Sequence, residues 1–420
     1  MNSKQSISYF TTSLLIFLII WSTYAFSPNR TSGDSRWMVY TAMSIIREQN
    51  TDLDEYENVL QSNSYYAIEN IKGHAYNFFP IGTCFLSLPL VYLTDQYFSS
   101  QGQNFNEYIQ HNKPDQIEIG IASFFVALAG IFLFLISQER GLSFKQQLLI
   151  IFIYAFCTST WSTASRALWS HGPNLLLLSI ILWSSLKSKL SPYFLIMTGF
   201  LLGFSYLVRP TNLLSMIGFS IWILLAHRKY FLWFGVFLAL PIILFSILNL
   251  KIYGYWLPSY YQQTINLHSN FWPALLAHLI SPGRGLFIYS PILLFSLWGI
   301  FLKIQAKKWK SLDSGIVFII ITHWILISAY PKWWAGHAYG PRFFSDMIPF
   351  FIYFLGDFID DLKYQNKPVH FIFYFFIMIS FLIHYQGATN WNTWLWNVEP
   401  NNIDDHTERI WDWKDPAFLR

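Results

Sequence analysis

Residues 230–250 read YFLWFGVFLALPIILFSILNL, with Arg228 and Lys229 on one side and Lys251 on the other. A run of this length without a charge makes about 31 Å of helix, the thickness of a bilayer's hydrocarbon core. Working outward, comparable apolar runs recur at 9–26, 117–137, 147–163, 172–186, 193–208, 211–226, 285–302, 314–330, 343–361 and 369–386. Composition agrees: 54% of the 420 residues are hydrophobic, 20% aromatic and only 12% charged. Too little charge remains to cover a soluble domain of this size. Disorder is excluded by the apolar content, and a disulfide scaffold by the presence of only two cysteines. A net charge of +4 without a basic block outside 303–310 gives no reason to expect nucleic acid. The expected fold is all-α and polytopic, one membrane domain over residues 1–420.

Orientation follows from Lys and Arg, which accumulate in cytoplasmic connections. Lys4, Arg140, Lys145, Lys187, Lys189, Arg228, Lys229, Lys303, Lys307, Lys308, Lys310, Lys363 and Lys367 lie in short connections and make up nearly half of the 27 basic residues. The N-terminus is therefore expected inside, with 9–26 an uncleaved first helix. Parity then allows only one crossing among 78–98 and 117–137. The run 78–98 carries Pro80, Gly82, Pro89 and Asp95 and reads as an outer juxtamembrane or re-entrant helix. Eleven spans result, with the tail 387–420 outside. The segments that carry chemistry then gather on the outer face: loop 27–116, turn 164–171, Arg209-Pro210, loop 251–284 and loop 331–342.

Asp34, in Gly33-Asp34-Ser35-Arg36-Trp37, stands just past the first span. It suits two roles, an N-cap for a following helix or a base for an acceptor hydroxyl. Asp52 to Glu57 reads as a solvated acidic turn, with divalent-cation binding as the alternative. Arg166 and His171 share a short turn with Trp169, costly in a membrane unless used. Arg209 ends a helix containing Gly199 and Gly203, whose spacing suits close helix packing. Arg209 itself suits phosphate or snorkelling to lipid headgroups. Ser281-Pro282-Gly283-Arg284-Gly285 opens a span and suits an anion or a simple turn. The segment Pro331 to Arg342 holds Lys332, Trp333, Trp334, His337, Tyr339 and Arg342. Its aromatics suit a sugar face and its cations a phosphate, and Asp346 is placed to orient Arg342 as an i,i+4 pair. The tail tryptophans, Trp391, Trp394, Trp396, Trp411 and Trp413, read as interface anchors. No metal-ligand spacing, nucleophile elbow or phosphate loop is present, and no cofactor is expected.

Together these residues resemble the GT-C superfamily of integral-membrane glycosyltransferases, in its protein O-mannosyltransferase and aminoarabinose-transferase branch. The likeness runs over most of the chain at the level of motifs. It rests on Asp34 after the first span, Tyr76-Asn77-Phe78-Phe79-Pro80-Ile81-Gly82, Ser165-Arg166, the helix from Gly199 to Arg209, and Trp334 through Arg342. Ser35 stands where many members carry a second acid, and His171 lies near the place of another. The resemblance implies sugar transfer from a polyprenyl-phosphate donor to a lipid, glycan or protein acceptor, at the outer face of a bacterial inner membrane. It makes Asp34 the base and Arg36, Arg166, Arg209, Arg284, Lys332 and Arg342 candidate donor contacts, with His171, Trp334, His337 and Asp346 around them. Two other classes stay open on the residues alone. A transporter or flippase of an anionic lipid or saccharide would use the same arginines without Asp34 as base. A non-catalytic assembly protein would use the Trp-rich loops as partner surface.

Overall fold

A computed structural model describes residues 3–30, 32–62, 67–262 and 268–420; parts of the loops 27–116 and 251–284 lie outside these. The architecture is helical. Four helices among the described residues are long and apolar enough to cross a membrane: Asp115–Glu139, Arg228–Ile252, Ser311–Ser328 and Lys367–Thr389. Shorter apolar helices, such as Tyr9–Ala25, Tyr193–Val208 and Pro210–Ala226, accompany them. The stretch over 231–252 shows why lipid is the expected solvent. Only Phe234, Pro241, Phe245 and Asn249 are buried, while Leu232, Trp233, Ile243 and Leu244 are more than half exposed. An apolar helix with one covered stripe needs a nonpolar medium for the rest.

Helix Asp115–Glu139 is central, packed between Ser3–Ala25 and His171–Lys187. Tyr193–Val208 packs along Phe231–Ile252. A Cβ at Gly199 or Gly203 would strike the carbonyls of Phe234 and Leu238, so the small residues do set a close crossing. Helix Ile348–Asp361 is buried over nearly its whole length and packs on Leu294–Gln305.

Several expected runs are broken. The run 285–302 forms Leu286–Tyr289, a short 3-10 turn and then Leu294–Gln305. Pro291 disfavours helical backbone at Ser290 and cannot donate a hydrogen bond, which ends the first piece. The run 147–163 is helical only to Phe156, then widens at Thr160–Ala164. There the hydroxyls of Thr158 and Thr160 both donate to the Tyr154 carbonyl at 2.7 Å, competing with the backbone ladder. The loop 27–116 also contains a small antiparallel hairpin, Ile68–Ile71 with His74–Asn77, which the residues had not suggested. The doubtful run becomes helix Gly82–Ser100, packed on Trp37–Arg47. A Cβ on Gly82 would lie 2.5 Å from the backbone of Leu207 and Val208, so this helix seats against the residues just before Arg209.

Candidate functional site

Arg209 owes its placement to Pro210. A residue before proline avoids helical backbone, and Arg209 is extended, at φ −153°. The helix therefore ends there and the guanidinium turns toward the Arg342–Met347 turn. Its Nε lies 2.6 Å from Asp346 Oδ2, and its Nη1 donates to Ser170 Oγ at 3.0 Å. Asp346 is fully buried and also takes His171 Nδ1 at 3.0 Å. His171 Nε2 accepts from Arg342 Nε at 3.3 Å, so the imidazole carries its proton on Nδ1. Arg342 is brought in by a turn in which Gly340 has φ +64°, with the Tyr289 ring against it, and Pro341 follows. The Arg342 guanidinium lies 3.8 Å over the Trp169 ring and donates to the Ala335 carbonyl and to Asp34 Oδ2, both at 3.2 Å.

One connected cluster results: Asp34, Arg342, His171, Asp346 and Arg209, on an aromatic floor of Trp169 and Phe343. Its two carboxylates and two guanidiniums balance. Its outer edge is partly open, with Asp34 and Arg342 at 21% and 14% side-chain exposure against zero for Asp346. Tyr260 lies within the field of all four charges, and burial raises its hydroxyl above the usual phenol range. Its ring packs on Phe78 and Phe79, which lays the Tyr76 to Gly82 segment beside the cluster.

Two expectations change here. Asp34 does not occupy the cap of helix Trp37–Arg47; that position belongs to Arg36, and no side chain caps it. Asp346 does not pair with Arg342. Residues 342–347 form a 3-10 turn, in which positions four apart lie on different faces, so Asp346 meets Arg209 and His171 instead.

The remaining candidates lie elsewhere. Arg166 is fully buried and donates to the carbonyls of Ser27, at 2.8 Å, and Tyr24, which ties the end of the first helix to the turn 164–171. Arg284 is 1% exposed and donates to Trp334 O, Gly336 O and Asn397 Oδ1 at 2.7, 2.9 and 2.9 Å. It shapes the 334–336 loop from one side while Arg342 holds Ala335 from the other. With their donors spent on protein acceptors, Arg166 and Arg284 are clamps. Trp334 Nε1 donates to Asp404, and His337 Nε2 pairs with Asn402, so both face the tail. Trp396 is part of a small core with Ile403, Ile410 and Tyr339 rather than an interface anchor. Lys332 is exposed, and Arg36 is half-buried, its charge acting on Glu118 and Tyr40.

Two features had no reading in the sequence. Glu118 is fully buried at the start of a membrane helix and accepts from Ser35 Oγ at 2.5 Å and from Arg30. An acid inside an apolar run is itself a signal of a buried partner. His74 joins the acidic turn: its Nδ1 lies 2.6 Å from Asp54 Oδ2, and with Asp52 the three offer ligand atoms within 4.8 Å of one another. Asp54 already accepts from His74 and from the Ala75 amide. Compared with known proteins, the chain matches no family model and no curated protein.

Proposed function

We propose that the protein is a glycosyltransferase that moves a sugar from a polyprenyl-phosphate donor to an acceptor hydroxyl at the outer face of a bacterial inner membrane. The observation that carries this reading is the pairing of Asp34 with Arg342 over Trp169, beside Arg209. The acceptor oxygen attacks the anomeric carbon, and the bond from that carbon to the phosphate oxygen breaks with its electron pair going to the phosphate. Asp34 takes the acceptor proton, and the released polyprenyl phosphate is held by Arg342 and Arg209. Arg342 exchanges Asp34 for the donor phosphate on binding, which frees the carboxylate to act as base. Trp169 keeps the guanidinium plane fixed during that exchange, and the aromatic segment around Phe78, Phe79 and Tyr260 offers faces to the sugar.

The same reading sets eleven spans, the N-terminus in the cytoplasm and the tail outside. Cysteines introduced at Gln103, Ser269 and Thr407 are then labelled from outside, and those at Ser143 and Gln305 from the cytoplasm. Labelling of Gln103→Cys from the cytoplasm would make Gly82–Ser100 a crossing and reverse the parity. The reaction is tested by incubating purified protein with a panel of polyprenyl-phosphate sugars and following donor turnover. Binding of donors without turnover by the wild-type protein would favour a transporter instead.

A further inference from the structure

We infer that Glu118 is a positioning residue for Asp34: it hangs the turn that carries the carboxylate on the central helix Asp115–Glu139. This rests on the reading of Asp34 as the base.

The turn around Asp34 has little regular structure of its own. It lies between the first helix, which ends at Ala25, and helix Trp37–Arg47. Glu118 reaches it on both sides of Asp34. On one side Arg30 Nη2 donates to both Glu118 oxygens, at 3.3 and 3.2 Å, and Arg30 also pairs with Asp115. On the other side Ser35, fully buried and next in chain to Asp34, donates to Glu118 Oε2 at 2.5 Å. Between these, Arg30 Nε donates to the Ser32 carbonyl at 3.0 Å, and the Asp34 amide donates to Ser32 Oγ at 3.0 Å. These bonds hold the turn through Arg30, Ser32, the Asp34 amide and Ser35, and the Asp34 carboxylate meets Arg342.

A buried carboxylate without its donors is costly, so Glu118 and its two partners hold each other strongly. The chain gains a fixed point within one residue of a group that must sit in reach of a reacting hydroxyl. A displacement of about 1 Å at such a group can cost roughly 10²-fold in rate. Glu118 itself is fully buried, so it acts through the turn and touches no substrate.

The test has two arms. In the first, the double variant Asp34→Cys/Arg342→Cys is treated with a short bis-methanethiosulfonate linker, and the cross-linking rate is measured in detergent. Adding Ser35→Ala or Glu118→Gln should slow the cross-link several-fold, and Ser35→Thr, which keeps the hydroxyl, should restore it. Glu118→Gln keeps an acceptor but loses the charge facing Arg30; if it does not fold, Ser35→Ala against Ser35→Thr decides the matter alone. An unchanged rate in Ser35→Ala overturns the inference whatever the activity. In the second arm, donor turnover by otherwise native protein should fall by between about tenfold and about 10²-fold in Ser35→Ala, with the donor KM little changed and Ser35→Thr near wild type. Slowed cross-linking together with wild-type turnover in Asp34→Asn would leave Glu118 as the anchor of the turn and sink the catalytic reading instead.

Discussion

Helix Ile348–Asp361 has a charged network at each end, and the two differ in a telling way. Just before its first turn, Asp346 belongs to the cluster with Arg209, His171, Arg342 and Asp34. In its last turn, about 16 Å further on by helical rise, Asp357 pairs with Arg140 at 2.6 Å and lies 3.7 Å from Lys303. Lys303 Nζ also meets Asp313 at 2.7 Å and the Tyr353 hydroxyl at 3.0 Å. That hydroxyl in turn donates to Asp313 at 2.8 Å. Both networks balance two cations against two carboxylates. In the second, Asp313 accepts from Lys303, Tyr353 and the Lys310 amide and Lys303 is only 6% exposed, while Arg140 and Asp357 reach 15% and 17%. The first tapers from the buried Arg209–Asp346 pair at 2.6 Å to the looser, part-exposed Arg342–Asp34 contact at 3.2 Å. Two networks of the same charge balance thus flank one helix, one drawn in around the buried Lys303–Asp313 pair and the other running out to the looser Arg342–Asp34 contact.

The largest expected effect separates the two directly. Asp34→Asn should reduce donor turnover by about 10²- to 10⁴-fold while donor binding and thermal stability stay close to wild type, because an amide keeps the shape but takes no proton. Asp34→Glu should recover part of the rate. Turnover near wild type in the Asn variant, at equal folded concentration, would make the Asp34 cluster as purely structural as the Lys303–Asp313 network.

At the Lys303–Asp313 network the pattern should reverse. Asp313→Asn leaves Lys303 buried with one carboxylate fewer, and breaking such a pair costs about 3–5 kcal/mol. Unfolding in detergent should show that loss, and turnover per folded molecule should be unchanged. A matching fall in turnover would mean that helix Ile348–Asp361 couples its two ends.

A smaller effect contrasts two arginines that reach the 334–336 segment from different elements. Arg342→Ala should weaken donor binding by roughly ten- to a hundredfold, the range for hydrogen bonds to a charged group. Arg342→Lys should rescue only part, since it keeps the charge but loses the planar fork. Arg284→Ala should instead lower stability, because it strands the carbonyls of Trp334 and Gly336. Equal losses of donor affinity in both Ala variants, without a stability change in either, would return Arg284 to the donor site.

These contrasts also mark what the residues could and could not tell. The helical class, the Gly199–Gly203 crossing and the residues that make up the Asp34 cluster were legible, because hydropathy, small-residue spacing and costly arginines are local signals. The pairing inside the cluster was not. Asp34 and Arg342 are 308 positions apart, and Arg342 was assigned to Asp346 by a helical spacing that the 3-10 turn does not have. Arg166 and Arg284 show the opposite failure: an arginine among outer loops suggests a ligand, but whether its donors are spent on carbonyls depends on chain crossings that no local pattern encodes. The Lys303–Asp313 network went unread because Lys303 and Arg140 had a sufficient explanation in orientation.

The smallest expected effect lies at the hairpin of 68–77, where an ion pair is about half exposed and neither role applies. Asp54 and His74 are 44% and 54% exposed and join the 3-10 turn at Asp54–Tyr56 to the strand His74–Asn77. The Ala75 amide, then the His74 ring, lower the Asp54 carboxyl below its ordinary value, and the hydrogen bond to Asp54 raises the His74 imidazole above its own. A lowered acid contributes stability above its unfolded value, near pH 4, and loses it as pH falls through the folded value. A raised histidine contributes fully below its unfolded value, near pH 6.5, and loses that contribution as pH rises through the folded one. Local protection should therefore be greatest between about pH 4 and about pH 6.5 and decline on both sides. Hydrogen exchange of the Ala75 amide, corrected for its intrinsic rate, should follow that curve with an amplitude of no more than a few-fold, as exposed pairs are weak. His74→Gln should flatten the alkaline side and leave donor turnover untouched. A change in turnover would tie this hairpin to the Asp34 cluster and make it a third region to set beside the other two.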